Sequence, residues 1–181
     1  MTKVPEITRR EDLPTDQQPI FDEITAGYGG NLVGPFRVLL HSPELARRVS
    51  HTGAYIRREA TLPADVRELA VIATARELDC QYEWAVHEGG ARRAGVGEDV
   101  IMAVRDRKAP EGLSSEEAVV VTYAQELLRN HRVSGPTFKA ALERFGIEAL
   151  VELTATIGHY SMLACALNAF EVMPETLLLP E

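Results

Sequence analysis

Cys80, Glu83, Trp84 and His87 recur at intervals of three and four residues, the spacing that lines side chains along one face of a helix. A thiol, a carboxylate, an indole N–H and an imidazole are costly to bury unless each is paired, so this combination is unusual for a face that only packs. Glu83 and His87, four apart, can touch. A carboxylate beside a histidine orients the ring and raises its pKa, as general acid–base chemistry requires. Cys80 falls at a helix N-terminus, where the dipole favours thiolate, but the charge of Glu83 opposes this. A moderately activated thiol is the expectation. Glu68, early in the preceding helix, is either a helix-dipole partner or a buried acid with a raised pKa.

Other chemistries find no pattern. Cys, Glu and His can ligate zinc, but paired spacing with further Cys or His is absent, so no metal is expected. There is no G-x-x-x-x-G-K, no strand-linked G-x-G-x-x-G and no serine-triad motif. A net charge of −8 argues against a nucleic-acid partner. It still allows a local arginine pocket for a small anion. Cys80 and Cys165, far apart, are no disulfide framework and suit a reducing cytoplasm. The N-terminal MTKVPEITRREDLP lacks an apolar signal core. No uncharged apolar run approaches the roughly 20 residues of a membrane span, residues 153–170 coming closest. The expectation is a cytoplasmic protein without a membrane partner.

The elements that must position these residues read as helices throughout. With 181 residues the chain fits one domain with a real core. No stretch alternates with period two, so the fold class is all-α. Thr15 can cap a first helix through Ile24, and a glycine-rich loop follows around Tyr28 and Asn31. Ser42-Pro43 starts a helix whose Arg47, Arg48, Arg57 and Arg58 mark its wet side, although any of them can bind a carboxylate. Val66 to Leu78 is apolar almost all round, which predicts a central, buried helix. Asp79 can cap the next helix, from Cys80 to about Gly95, with Gly89-Gly90 as a close-packing point or a break. A loop over Lys108–Leu113 precedes a capping box, Ser114 with Glu117. Phe145-Gly146 closes one helix, and the longest runs from Ile147 to about Val172, interrupted by His159, Tyr160 and Cys165. Residues 174–181 form a short apolar arm of the kind that packs on another subunit. ELAVIAT at Glu68 and ELTATIG at Glu152 open two buried helices with similar words.

The run from Glu68 to His87 resembles the carboxymuconolactone decarboxylase family, which includes the alkyl hydroperoxidase D type. That type has E-x11-C-x2-C-x3-H; this chain has E-x11-C-x2-E-x3-H. The words RELAVIATARELDCQYEWAVHE, GPFRVLLHSPELARR and GHYSMLACALNAFEV resemble its decarboxylase-like branch. The resemblance divides the chain into an N-terminal segment and helix (1–33), the family's helical domain (34–173) and the terminal arm (174–181). It implies an alkyl hydroperoxidase D-like fold, a homo-oligomer (trimer or hexamer) and no cofactor. In the hydroperoxidase branch two cysteines reduce peroxide while a glutamate and a histidine relay protons. Here Glu83 replaces the second cysteine, so a helix-face disulfide cannot form. Cys165 replaces it only if its Cα comes within roughly 7 Å of that of Cys80. A one-cysteine route through a sulfenic acid is the thiol alternative. In the decarboxylase branch the substrate is a small carboxylated unsaturated lactone whose conjugation takes up the electrons. The resemblance then implies His87 as proton donor or shuttle, Glu83 as its partner and Glu68 as second acid. Tyr82 and Trp84 are candidates to line the pocket, with His159 and Arg37 as further substrate contacts. The third alternative is a helical oligomer that binds a ligand without chemistry.

Overall fold

Capping and periodicity divide the chain into eight helices among the described residues, which are 2–108 and 114–180 of this computed structural model. They are α1 (Gln18–Ala26), α2 (Gly34–Leu39), α3 (Pro43–Arg58), α4 (Ala64–Glu77), α5 (Gln81–Ala94), α6 (Glu98–Arg105), α7 (Ser115–Asn130) and α8 (Gly135–Phe170). A single 3₁₀ turn spans Arg10–Asp12. No strand occurs among the described residues. The fold is the all-α one that the periodicity predicts.

Because α4 has no polar side, it has to be surrounded, and every residue from Leu69 to Arg76 is buried. It packs against α5, α6, α7 and α8. Ile72 faces a main core with Trp84, Ile101, Val120 and Leu153. Val71 faces a second core, in which α1, α2 and α3 meet α8 through Ile24, Phe36, Ile56 and Leu163. A seam between these two cores runs alongside α5.

Several boundaries differ from the sequence reading. α1 starts at Gln18, three residues beyond Thr15. Cys80, not Asp79, is the N-cap of α5. Asp79 instead takes a left-handed conformation (φ 48°) and pairs with Arg76 and Arg107. Gly89-Gly90 does not break α5. A Cβ at Gly90 would lie 2.8 Å from Glu68 Oε2, so the pair is a close-packing point against α4. The Ser114–Glu117 capping box forms, with hydrogen bonds of 2.9 and 3.3 Å. Of the loop before it, residues 109–113 lie outside the described residues. The last two predicted helices are joined as α8, interrupted where Gly146 leaves helical geometry (φ 75°, ψ 171°). α8 is long and apolar enough to cross a bilayer, but 56% of its most apolar window is buried within the fold, as in a core helix.

The C-terminal arm docks on its own chain. Leu179 is buried in the main core. Gln81 accepts from the N–H groups of Leu178 and Leu179 and donates to the Leu179 carbonyl, at 3.0–3.1 Å. One side-chain amide thus supplies both a donor and an acceptor to the arm, which needs no second subunit to be held.

Glu152 fastens α8 to the α3–α4 connection. Its carboxylate accepts from the Tyr55 hydroxyl (2.8 Å), the Thr61 N–H (2.8 Å) and hydroxyl (2.7 Å), and the Leu62 N–H (3.2 Å). Burial alone would raise its pKa, but these donors outweigh burial and hold it below the ordinary 4.5. A depressed folded-state pKa gives stability that is present above the unfolded value and is lost as pH falls through the folded one. Glu152→Gln is therefore expected to lower urea-unfolding stability at pH 7 by about 1.5–3 kcal/mol. The deficit should shrink as pH falls below 4.5; a deficit independent of pH would count against the charge as its cause.

Candidate active site

The start of α5 turns its side chains three ways. Cys80, fully buried, joins Val38, Ala164, Leu167 and Val172 in a small apolar cluster. Trp84 points into the main core, with its Nε1 donor unpartnered. Glu83 and His87 line a cavity of about 240 Å³ in the seam. The four residues therefore do not share one open face as expected from their spacing. Residues 80, 83, 84 and 87 span about 100° of helix, and both α4 and α8 pack against α5. Trp84 consequently does not line the cavity.

His87 Nδ1 lies 2.9 Å from Glu68 Oε2. Burial alone would raise the Glu68 pKa, but the His87 hydrogen bond, with the nearby charges of His87 and Arg67, outweighs it. The carboxyl is held below its usual range, which corrects the expectation of a raised pKa. An ionised carboxylate only accepts, so the ring proton sits on Nδ1. Nε2 is thereby directed at Glu83, whose Oε2 is 3.4 Å away. Glu83 is 3% exposed, and burial pushes its pKa up against the opposing charges of His87 and Arg57. Two carboxylates flanking one ring are thus driven in opposite directions.

The Cys80 thiol is pushed up to about 12, chiefly by burial, with the Glu83 charge adding to it. The N–H groups of Glu83 and Tyr82 pull the other way but do not offset this. The moderately activated thiol expected from the helix terminus is not found, because desolvation exceeds the dipole's contribution. Both cysteines are free thiols, Cys80 buried and Cys165 exposed.

Tyr82 lies on the cavity wall and its hydroxyl accepts from the Gly34 N–H at 2.9 Å. Arg37 faces away: it pairs with Glu6 at 3.4 Å and lines an outer groove with Tyr82 and residues of the terminal arm. His159 is 8% exposed and lies behind the wall, with its ring edge-on to Tyr160 at 5.3 Å. Burial, with the Arg57 charge adding, drives its pKa down to about 4, so it is neutral near pH 7. Among the polar wall residues, Tyr28 and Tyr160 carry no expected site role, and Arg57 is only one of four α3 arginines that could bind a carboxylate. Tyr160 lies edge-on to His87 at 4.9 Å. The signal for it was its place on the inward stripe of α8 with Leu153 and Ile157. Arg57, expected on the wet side of α3, turns inward and stacks over Tyr28 at 4.5 Å. Among the described residues, no group of three or more metal-ligating side chains is close enough to hold an ion.

Residues 43–126 match the Carboxymuconolactone decarboxylase family. The chain is similar to the alkylhydroperoxidase AhpD core of a peroxidase-related protein from Ralstonia eutropha JMP134, with 21% identity and a TM-score of 0.74. That alignment covers 96% of this chain and 92% of the other. It is also similar to the debrominase Bmp8, at 18% identity and a TM-score of 0.75, over 97% of this chain and 94% of the other. No curated protein matches the sequence. The matched segment runs from α3 into α7 and includes the Glu68, Glu83 and His87 cluster, and the fold is that of AhpD. Residues 43–126 thus carry the likeness to the carboxymuconolactone decarboxylase family, and the chain as a whole has an AhpD-like fold.

Proposed function

We propose that the protein is a cofactor-free lyase of the decarboxylase kind, acting on a small carboxylated lactone or related ring acid. The observation that carries this reading is the division of the site. Proton-handling groups line the cavity, while the one cysteine of the motif lies off its wall, in the form of a protonated thiol. Family kinship and the debrominase neighbour agree with an enzyme without specifying its reaction.

Losing carbon dioxide breaks one C–C bond, and its electron pair passes into the conjugated lactone carbonyl as a dienolate. The dienolate then takes a proton on carbon. Glu83, whose pKa burial raises, is the group assigned to hold this proton. His87 Nε2, 3.4 Å away, then takes up a proton from solvent and passes it to the Glu83 carboxylate. Glu68 stays ionised and stabilises the imidazolium while it carries that proton. His87 acts here as shuttle and Glu83 as donor. The apolar wall of Val33, Pro35, Phe36 and Leu163 excludes the water that would otherwise screen these charges. A homo-oligomer, trimer or hexamer, goes with this reading. Ile147 and Val151, both more than half exposed on α8, are surface it would cover; light scattering that shows a monomer removes it.

With γ-carboxymuconolactone as substrate, carbon dioxide release and ring absorbance should both report turnover. His87→Gln and Glu83→Gln are each expected to lower kcat by ~10²–10⁴. Because Glu83 must be protonated to donate, kcat/KM should fall as pH rises through its raised pKa, above the ordinary glutamate value of 4.5. Release that survives both substitutions within twofold would falsify these roles.

The thiol alternative is tested by alkylation. At pH 7.5 iodoacetamide should label Cys165 readily and Cys80 only after unfolding, as read by peptide mass spectrometry. Rapid native labelling of Cys80, together with hydroperoxide consumption abolished in Cys80→Ser, would transfer the function to the thiol.

A further inference from the structure

Arg57 is out of keeping with the other arginines of α3. Arg47 and Arg48 pair with Glu44 in solvent, and Arg58 donates to the Gly27 carbonyl. The Arg57 Nη2 is buried and has no hydrogen-bond partner. A guanidinium is permanently charged, and a buried donor without an acceptor is costly. Among the described residues no ion pair joins it to a carboxylate; Glu83 feels its charge but is not in contact. His159 beside it is neutral and offers no compensating charge.

The surroundings keep the guanidinium in place while leaving its Nη2 without a hydrogen-bond partner among the described residues. Its plane lies over the Tyr28 ring at 4.5 Å, which supports the cation from one side. Gly53 supplies the space: a Cβ there would come within 2.8 Å of Nη1 and 3.0 Å of His159 Nε2. Arg57 is one of the residues lining the same cavity as Glu83 and His87. Most of the remaining lining is apolar, and about 240 Å³ accommodates a single small ring.

We infer that Arg57, seated on Tyr28, is the carboxylate-binding subsite of this cavity, selecting small planar ring acids over their neutral analogues. The carboxylate pairs with the guanidinium edge, the ring lies along the Phe36 and Leu163 wall, and the far side of the ring meets Glu83 and His87. The subsite deepens the proposed function but rests only on its cavity, not on decarboxylation.

Calorimetric titration with furan-2-carboxylate and furan-2-carboxamide separates the charge from the ring. The wild type should bind the acid roughly 10–100-fold more tightly than the amide. Arg57→Gln should remove that preference by weakening the acid far more than the amide, and Arg57→Lys should restore part of it. The empty Arg57→Gln protein should melt close to the wild type, since the loss of stacking on Tyr28 is offset by no longer burying an unpartnered Nη2 donor. Equal binding of acid and amide by the wild type, or no saturable binding of the acid, overturns the subsite. So does a fall in melting temperature with acid affinity unchanged, which marks Arg57 as structural. Acid binding without carbon dioxide release from the lactone removes the decarboxylase reading and leaves the subsite standing.

Discussion

The hydrogen bond from His87 Nδ1 to Glu68 crosses the interface between the two most intimately packed helices, α4 and α5. It sets the tautomer of the ring and, through it, the only nitrogen that can address the cavity. It depends in turn on Gly90, where any side chain would collide with the Glu68 carboxylate. The packing of α4 is therefore a condition of the chemistry: a displaced Glu68 would leave the imidazole free to turn, and Nε2 would lose its aim at Glu83.

Glu68 and Glu83 show how one residue type takes two roles through its surroundings. Both are largely withdrawn from water. Glu68 has a ring N–H from His87 and the Arg67 guanidinium 3.7 Å away, so its charged form is favoured. Glu83 feels His87 and Arg57 only through space and has no hydrogen bond to its carboxylate, so desolvation dominates. The same balance governs Cys80. A helix terminus favours its thiolate, but an apolar cluster that excludes water disfavours it by more. Separation of pKa values by environment gives the cavity an acid and a base without a metal-binding cluster among the described residues.

Much of this was legible in the residue pattern and part of it could not be. The all-round apolar run of α4, the Ser114–Glu117 cap and the Glu68, Glu83 and His87 spacing are local signals, and each has its counterpart in the fold. Arg57 was not legible, because an inward arginine and three outward ones look alike along α3. Its direction is set by Tyr28, which arrives from 29 residues earlier in the chain. Trp84 and Glu83 were indistinguishable for a related reason: neighbours in sequence, they diverge by about 100° around the helix and meet different cores. The family match covers residues 43–126, yet Tyr28, Phe36, Tyr160 and Leu163 on the cavity wall lie outside it. The candidate catalytic groups thus sit in the matched segment, and much of what shapes the cavity around them does not.

The echo between ELAVIAT and ELTATIG isolates what turns a buried carboxylate into working machinery. Glu68 and Glu152 sit at equivalent places in similar words, and both are held below the ordinary glutamate pKa. Glu152 accepts from four donors that have no second face, so its charge is consumed in joining α8 to the α3–α4 connection. Glu68 spends its main bond on a ring whose other nitrogen faces a cavity. The difference lies in the partner and not in the glutamate. An imidazole passes on the influence of a carboxylate it touches through its second nitrogen, whereas a backbone N–H has no second polar atom through which to do so. For that reason the first word opens a candidate active site and the second a structural joint, although nothing in either word distinguishes them.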